Sequence, residues 1–242
     1  MSPLTLAATF IANIHYGPLP EQVLDACVPA RPSPAAIYIH GGGWSGGDKA
    51  EFDGMCMALA AKGIAGFAIN YRLAPAAYWP AQLTDVDLAA AWVAVNGGAY
   101  GASGRVCSIG YSAGAQLSMM LGVQKAVACA VTVSAPTNLV TLAAWDGAMV
   151  RNLVGPGGVA AERSASPLDL VEATAASSPI LVIQGLGDHK VPPSQALSMA
   201  HAMQGMGLPV TLRLNAGGHV LSGLSPAQKA AIEGMIERFV RR

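Results

Sequence analysis

A serine hydroxyl attacks carbonyl carbon poorly at neutral pH unless an imidazole takes its proton and a carboxylate orients that imidazole. This 242-residue chain offers such a set at loop positions. Ser112 stands in Gly110-Tyr-Ser-Ala-Gly114, a G-x-S-x-G pattern, but a second copy, Gly43-Trp-Ser45-Gly-Gly47, shows how easily a glycine-rich chain reaches it by chance. Context separates the two. Ser112 follows the apolar run 105–109 and leads straight into a helical pattern, as a nucleophile on a sharp strand-to-helix turn must; otherwise it is a helix N-cap. Ser45 sits inside a glycine loop. Of the three histidines after Ser112, His201 lies mid-helix and His189 adjoins the best acid candidate, whereas His219 lies on a loop between the last strand and the last helix. Asp146 and Asp169 fall in an irregular stretch, whereas Asp188 follows a strand by four residues on a loop stiffened by prolines. Ser112, His219 and Asp188 are therefore the expected nucleophile, base and orienting acid.

The loop after the first buried strand, Gly41-Gly-Gly43-Trp-Ser-Gly46, also fits G-x-G-x-x-G. A dinucleotide site would require an acidic residue near the end of the next strand; Asn70-Tyr71-Arg72 supplies none, and no cofactor or metal is expected. Glycine backbones instead leave N–H groups free to converge on a developing oxyanion, and the Ala113 N–H would add another donor. Trp44, Trp79, Trp145, Met149 and Leu221 flank strand ends or the irregular stretch. They are candidates for an apolar substrate pocket, with Trp44, Trp145 and Leu221 as the expected contacts.

The elements that must position these groups are legible as alternating patterns. Buried strands are predicted over 35–40, 64–70, 105–109, 127–134, 179–184 and 209–214. Helices are predicted over 55–62, 84–95, 113–124, 194–206 and 225–240, with Thr84 as an N-cap and Asp85 and Asp87 facing the first-turn dipole. Continuous apolar strands separated by helices imply an α/β class: a mostly parallel central sheet covered on both faces. The first thirty residues should add antiparallel edge strands. Residues 135–178 break the alternation and read as an irregular excursion over the active-site end of one domain spanning 1–242. In such sheets ligands bind beyond the carboxyl ends of the strands, and the order Ser…Asp…His is that of the α/β-hydrolases.

Composition narrows the function classes. Apolar residues make up 52% and charged residues 12%, which excludes a disordered chain, and 14 basic residues balance 14 acidic ones. With no cluster of basic residues, nucleic acid is not an expected partner. No apolar run is long enough to span a bilayer, and Met1 to Phe10 does not read as a secretory leader. Cys27, Cys56, Cys107 and Cys129 lie far apart in apolar surroundings and read as buried free thiols, which makes a reducing cytoplasm the default location.

Together, His40-Gly-Gly-Gly-Trp44, Ser45-Gly-Gly-Asp-Lys49, Tyr71-Arg-Leu-Ala-Pro75, Gly110-Tyr-Ser-Ala-Gly114, Ser166-Pro167, Gly187-Asp188 and Gly218-His219 resemble the α/β-hydrolase esterases that carry an HGGG motif. The chain is similar to hormone-sensitive-lipase-type carboxylesterases, and closer to small bacterial esterases and kynurenine-formamidase-like members. The resemblance spans Tyr16 to about Leu221. It implies an α/β-hydrolase fold with a minimal cap and a serine carboxylesterase acting on small or aryl esters. The oxyanion donors it implies are Gly42, Gly43 and Ala113, with His40 organising the loop. Relatives often have an acidic residue where Asn138 stands, and a His-Gly where Gln184-Gly185 stands. Arylformamidase chemistry would use the same machinery, and a non-catalytic binding module of this fold would lack a member of the set. A small-molecule ester is the expected partner of a monomer or homodimer.

Overall fold

The computed structural model describes residues 7–242. Part of the Met1 to Phe10 segment thus lies outside the described residues. Eight strands form one sheet: β1 (Thr9–His15), β2 (Val23–Val28), β3 (Ser33–Ile39), β4 (Ala65–Ile69), β5 (Ala102–Tyr111), β6 (Cys129–Val133), β7 (Ile180–Gly185) and β8 (Val210–Asn215), in the order β1-β2-β4-β3-β5-β6-β7-β8. β1 and β2 pair antiparallel, as does β2 with β4, and every later pairing is parallel. The parallel sheet and the antiparallel edge are as the sequence patterns predict. β3 continues to β4 on one side while β5 continues to β6 on the other. The crevice for a ligand therefore opens above the β3–β5 pair, where the winding reverses.

Helices α1 (Asp53–Ala61) and α9 (Pro226–Arg241) contribute to the apolar cluster on one face, with Cys56, Leu59, Ile232 and Ile236 buried against Tyr38, Ile109 and Ile183. α2 (Ala81–Asn96) and α3 (Ala113–Val123) help build the opposite cluster, where Val86, Ala89 and Leu117 meet Ile37, Phe67 and Ile69. α8 (Pro193–Gly205) closes the sheet over β7 through Met199 and Met203. Such two-sided coverage explains why β3, β4, β6 and β7 are buried along nearly their whole length without alternation.

Three sequence expectations need correction. α2 begins at Ala81 rather than at Thr84, whose hydroxyl instead donates to the Pro80 carbonyl within the first turns. Asp85 is thus not a helix-end charge. It is fully buried, pairs with Arg72 at 2.7 Å and accepts a bond from Gln22. Residues 135–178 contain four short helices, α4 (Leu139–Trp145), α5 (Gly147–Val154), α6 (Gly158–Ser164) and α7 (Pro167–Glu172). Asn138 and Asp146 cap α4 and α5 by accepting from the Thr141 and Met149 N–H groups. Helices this short complete too few turns to show a periodic stripe. Finally, the cysteines are paired, Cys27 with Cys56 and Cys107 with Cys129. The second pair joins residues in direct register on β5 and β6, a proximity set by pairing that chain separation hides. The expectation of a reducing cytoplasm rested on free thiols and loses that ground. Among the described residues, no helix is long and apolar enough to cross a membrane.

Candidate active site

β5 ends at Tyr111, α3 starts at Ala113, and Ser112 makes the turn alone at φ 53°, ψ −120°. A side chain is rarely held in this backbone region, and the surroundings must enforce it. They do so through glycines: a β-carbon on Gly110 would run into the Gly114 carbonyl, and one on Gly114 into the carbonyls of Ile39 and His40. The Ser112 N–H also donates to the Val133 carbonyl at 2.9 Å, tying the turn to β6.

The other two groups arrive from the ends of β7 and β8. His219 Nε2 lies 2.9 Å from Ser112 Oγ, and His219 Nδ1 lies 2.9 Å from Asp188 Oδ2 and 3.1 Å from Oδ1. The ring nitrogens therefore face a hydroxyl on one side and a carboxylate on the other. Asp188 also accepts from the N–H groups of Lys190 and Val191 and from Gln184 Nε2. Burial pushes its carboxyl up, but the bonds from His219, the Val191 N–H and the Ser134 hydroxyl outweigh burial and bring it down to about 2. Asp188 is thus an anion at neutral pH. The His219 loop is held by Ser134, whose hydroxyl accepts the Val220 N–H at 3.0 Å, and by the close passage of Gly185 beneath the Gly217 and Gly218 carbonyls, where a β-carbon would not fit.

The glycine loop after β3 folds against the same turn. A β-carbon on Gly41 would sit 3.3 Å from the Ser112 β-carbon, and Gly42 and Gly43 have φ of +96° and +59°, which favours glycine. The N–H groups of Gly42, Gly43 and Ala113 have no protein acceptor among the described residues. His40 is buried, stacks on Tyr71 with ring centroids 4.3 Å apart, and has Nδ1 2.9 Å from the Gly41 carbonyl. Its burial pushes the imidazole's pKa down, against the smaller opposing effects of that bond and of Glu51 and Asp48. Tyr71 donates to the His40 carbonyl at 3.0 Å. His40 therefore sits behind the loop as a brace.

Above these groups lies a cleft of about 480 Å³. Phe52, Met55, Tyr111, Met149 and Val191 give it apolar walls, and Glu51, Asp146 and Lys190 add charge to the lining. Met149 is where the sequence suggests a pocket residue. Trp44, Trp145, Trp79 and Leu221 are not in the wall, for separate reasons. Trp44 is fully buried and donates its indole N–H to Gln116 Oε1 at 3.0 Å, so it packs the glycine loop onto α3. Trp79 donates to Ser164 within the core side. Leu221 is 5% exposed and points into the α9 face, leaving Val220 to line the cleft. Trp145 is 60% exposed and bonds the His189 carbonyl outside the wall. Sequence reading gave no sign of Gln116, Ser134 or Met55, since each is placed only by tertiary packing.

The model of the BD-FAE family matches residues 24–203. Esterase LipC of Mycobacterium tuberculosis is 34% identical over 116 residues, covering 46% of this chain and 29% of that protein. Esterase LipI of the same organism is 34% identical over 110 residues, 43% of this chain and 34% of that protein. The chain thus aligns with only about a third of the length of these curated relatives. Among solved structures, a truncated carbohydrate esterase from gut microbiota superposes with a TM-score of 0.86 at 21% identity, covering 99% of both chains. Esterase B from Lactobacillus Rhamnosis superposes at 0.82 with 19% identity, covering 97% of this chain and 86% of that one. Likenesses at such low identity show the fold, that of the α/β-hydrolases. With the family model matching most of the chain's length, the chain belongs to the BD-FAE family.

Proposed function

We propose that the chain is a serine carboxylesterase acting on esters with small acyl groups. The observation that carries this reading is the continuous line Ser112 Oγ–His219 Nε2 and His219 Nδ1–Asp188, 2.9 Å at each step, facing unpaired backbone N–H groups. As Ser112 Oγ bonds to the ester carbonyl carbon, His219 Nε2 takes its proton and the carbonyl electron pair moves onto oxygen. The N–H groups of Gly42, Gly43 and Ala113 receive that oxyanion, aided by the N-terminal end of α3. Collapse expels the alcohol oxygen, which leaves with the proton held on His219. Water, deprotonated by the same nitrogen, then releases the acid from the acyl-enzyme. Asp188 stays ionised throughout, fixing the tautomer and stabilising the imidazolium.

The cleft suits a short acyl group with a more polar alcohol, since Glu51, Asp146 and Lys190 stand around an apolar floor. The names of structural neighbours point the same way, among them a carbohydrate esterase and an acetyl ester-xyloside bifunctional hydrolase from Caldicellulosiruptor lactoaceticus. Among the described residues no strand pairs beyond β1 or β8, which accommodates a monomer or a homodimer equally. The test is a panel of esters, formamides and lactones assayed with the wild type and Ser112→Ala. Ester turnover that disappears in the variant is expected. Turnover of formamides alone would move the reading to an arylformamidase, and ester turnover surviving in Ser112→Ala would overturn it.

A further inference from the structure

A second cavity of about 290 Å³ lies between α1 and α9, lined by Gly54, Met55, Ala58, Leu59, Lys62, Glu233 and Ile236. Among the described residues, Met55 is the one that lines both this space and the active cleft. It is therefore the wall between them. Its sulfur accepts a long bond from the Tyr111 hydroxyl at 3.9 Å, and its side chain is only partly buried. Burial pushes the Tyr111 phenol's pKa up, with Glu233 adding to the effect, so the hydroxyl keeps the proton it donates. The backbone beneath Met55 is fixed, because the next residue, Cys56, is bonded to Cys27 on β2. What can move here is an unbranched thioether side chain.

The second cavity is a groove open to solvent with an apolar base. Ala58, Leu59 and Ile236 form its apolar wall, with Leu59 and Ile236 buried. Its charged members stand at the solvent side: Lys62 is half exposed and paired with Glu237, and Glu233 is exposed. A chain passing Met55 would thus lie on apolar side chains and end at water.

We propose that Met55 sets the chain-length limit of the substrate, closing the active cleft against an apolar subsite between α1 and α9 that takes the hydrocarbon arm of longer esters. This rests on the esterase reading above. The arm is an alkyl chain, carried on either the acyl or the alcohol side of the ester, and two substrate series separate these sources. One series is p-nitrophenyl esters from acetate to decanoate; the other is alkyl acetates from methyl to decyl. In Met55→Ala, the ratio of kcat/KM for the eight-carbon substrate to that for the shortest should rise at least about tenfold in one series, a change of about 1.4 kcal/mol in relative transition-state binding. Gly54→Leu, placed in the Met55→Ala background, should reverse that rise. Gly54 lines the second cavity and a β-carbon there meets nothing within 4 Å, so the position accepts a side chain beside that space. If Met55→Ala does not fold, Met55→Val, which removes less volume, is read in the same way. An unchanged ratio in both series, with acetate still hydrolysed, overturns the gate and leaves the esterase reading intact; so does a raised ratio that Gly54→Leu fails to reverse. A wild type that hydrolyses no ester of either series overturns both.

Discussion

Replacing Gly114 with alanine disturbs the site without altering Ser112, His219 or Asp188. A β-carbon there would stand 2.6 Å from the Ile39 carbonyl carbon, with the oxygens of Ile39 and His40 nearer still, whereas ordinary contact begins at 3.4 Å. The start of α3 and the end of β3 must therefore part by roughly 1 Å, because backbone cannot swing aside as a flexible side chain can. These two segments carry opposite halves of the site: α3 presents Ala113, and β3 runs into Gly42 and Gly43. A misplacement of this order costs about 10²-fold in rate. Overpacking costs a further ~1–3 kcal/mol in stability. Gly114→Ala is thus expected to lower kcat/KM toward p-nitrophenyl acetate about a hundredfold and to lower the urea midpoint. Gly98→Ala is the control, since a β-carbon there meets nothing within 4 Å, and its activity should match the wild type. Full turnover in a folded Gly114→Ala protein would refute the claim that the glycine loop and the Ser112 turn are held as one rigid unit.

Other consequences can be checked by stability and mass measurements. The Asp188 carboxyl titrates at about 2 instead of 3.8, so its contribution to stability is complete above pH 3.8 and is lost as pH falls through about 2. Urea midpoints taken from pH 5 to 2 should fall more steeply for the wild type than for Asp188→Asn; parallel curves would contradict this. Unfolded protein without reductant should take up no alkylating agent, and reduced protein should take up four equivalents, because all four cysteines are paired. Breaking the Cys27–Cys56 link, which closes a separation of 29 residues, should cost about 3–4 kcal/mol on a chain-entropy basis. Asp85→Ala strands Arg72 and Gln22 without their shared acceptor; a loss near 3 kcal/mol is expected, and a loss below ~0.5 kcal/mol would be inconsistent with a buried pair.

Much of this molecule can be read from its sequence because local patterns and tertiary need coincide. The strands β3, β4, β6 and β7 are buried along nearly their whole length since both faces are covered, and Gly110, Gly114 and Gly185, where close approach demands glycine, abut the loops that follow β3, β5, β7 and β8. The groups that converge at Ser112 come from those loops. Other features depend on partners distant in sequence. Asp85 looks like a first-turn carboxylate until Arg72 and Gln22 are placed around it, and Cys107 and Cys129 look isolated until β5 and β6 are aligned in register. Aromatic character alone misleads for the pocket: Trp44 faces Gln116 inside the core, while the cleft is walled by Phe52, Met55 and Met149. Nothing local distinguishes a tryptophan that packs a loop from one that meets substrate.

The most direct measurement is covalent. The native protein is treated with a fluorophosphonate and its peptides are read by mass spectrometry. Expected is one adduct per chain, located on Ser112, abolished in Ser112→Ala and slowed by orders of magnitude in His219→Ala. A folded protein that takes no adduct, or takes it on another serine such as Ser45, would contradict a nucleophile at the end of β5.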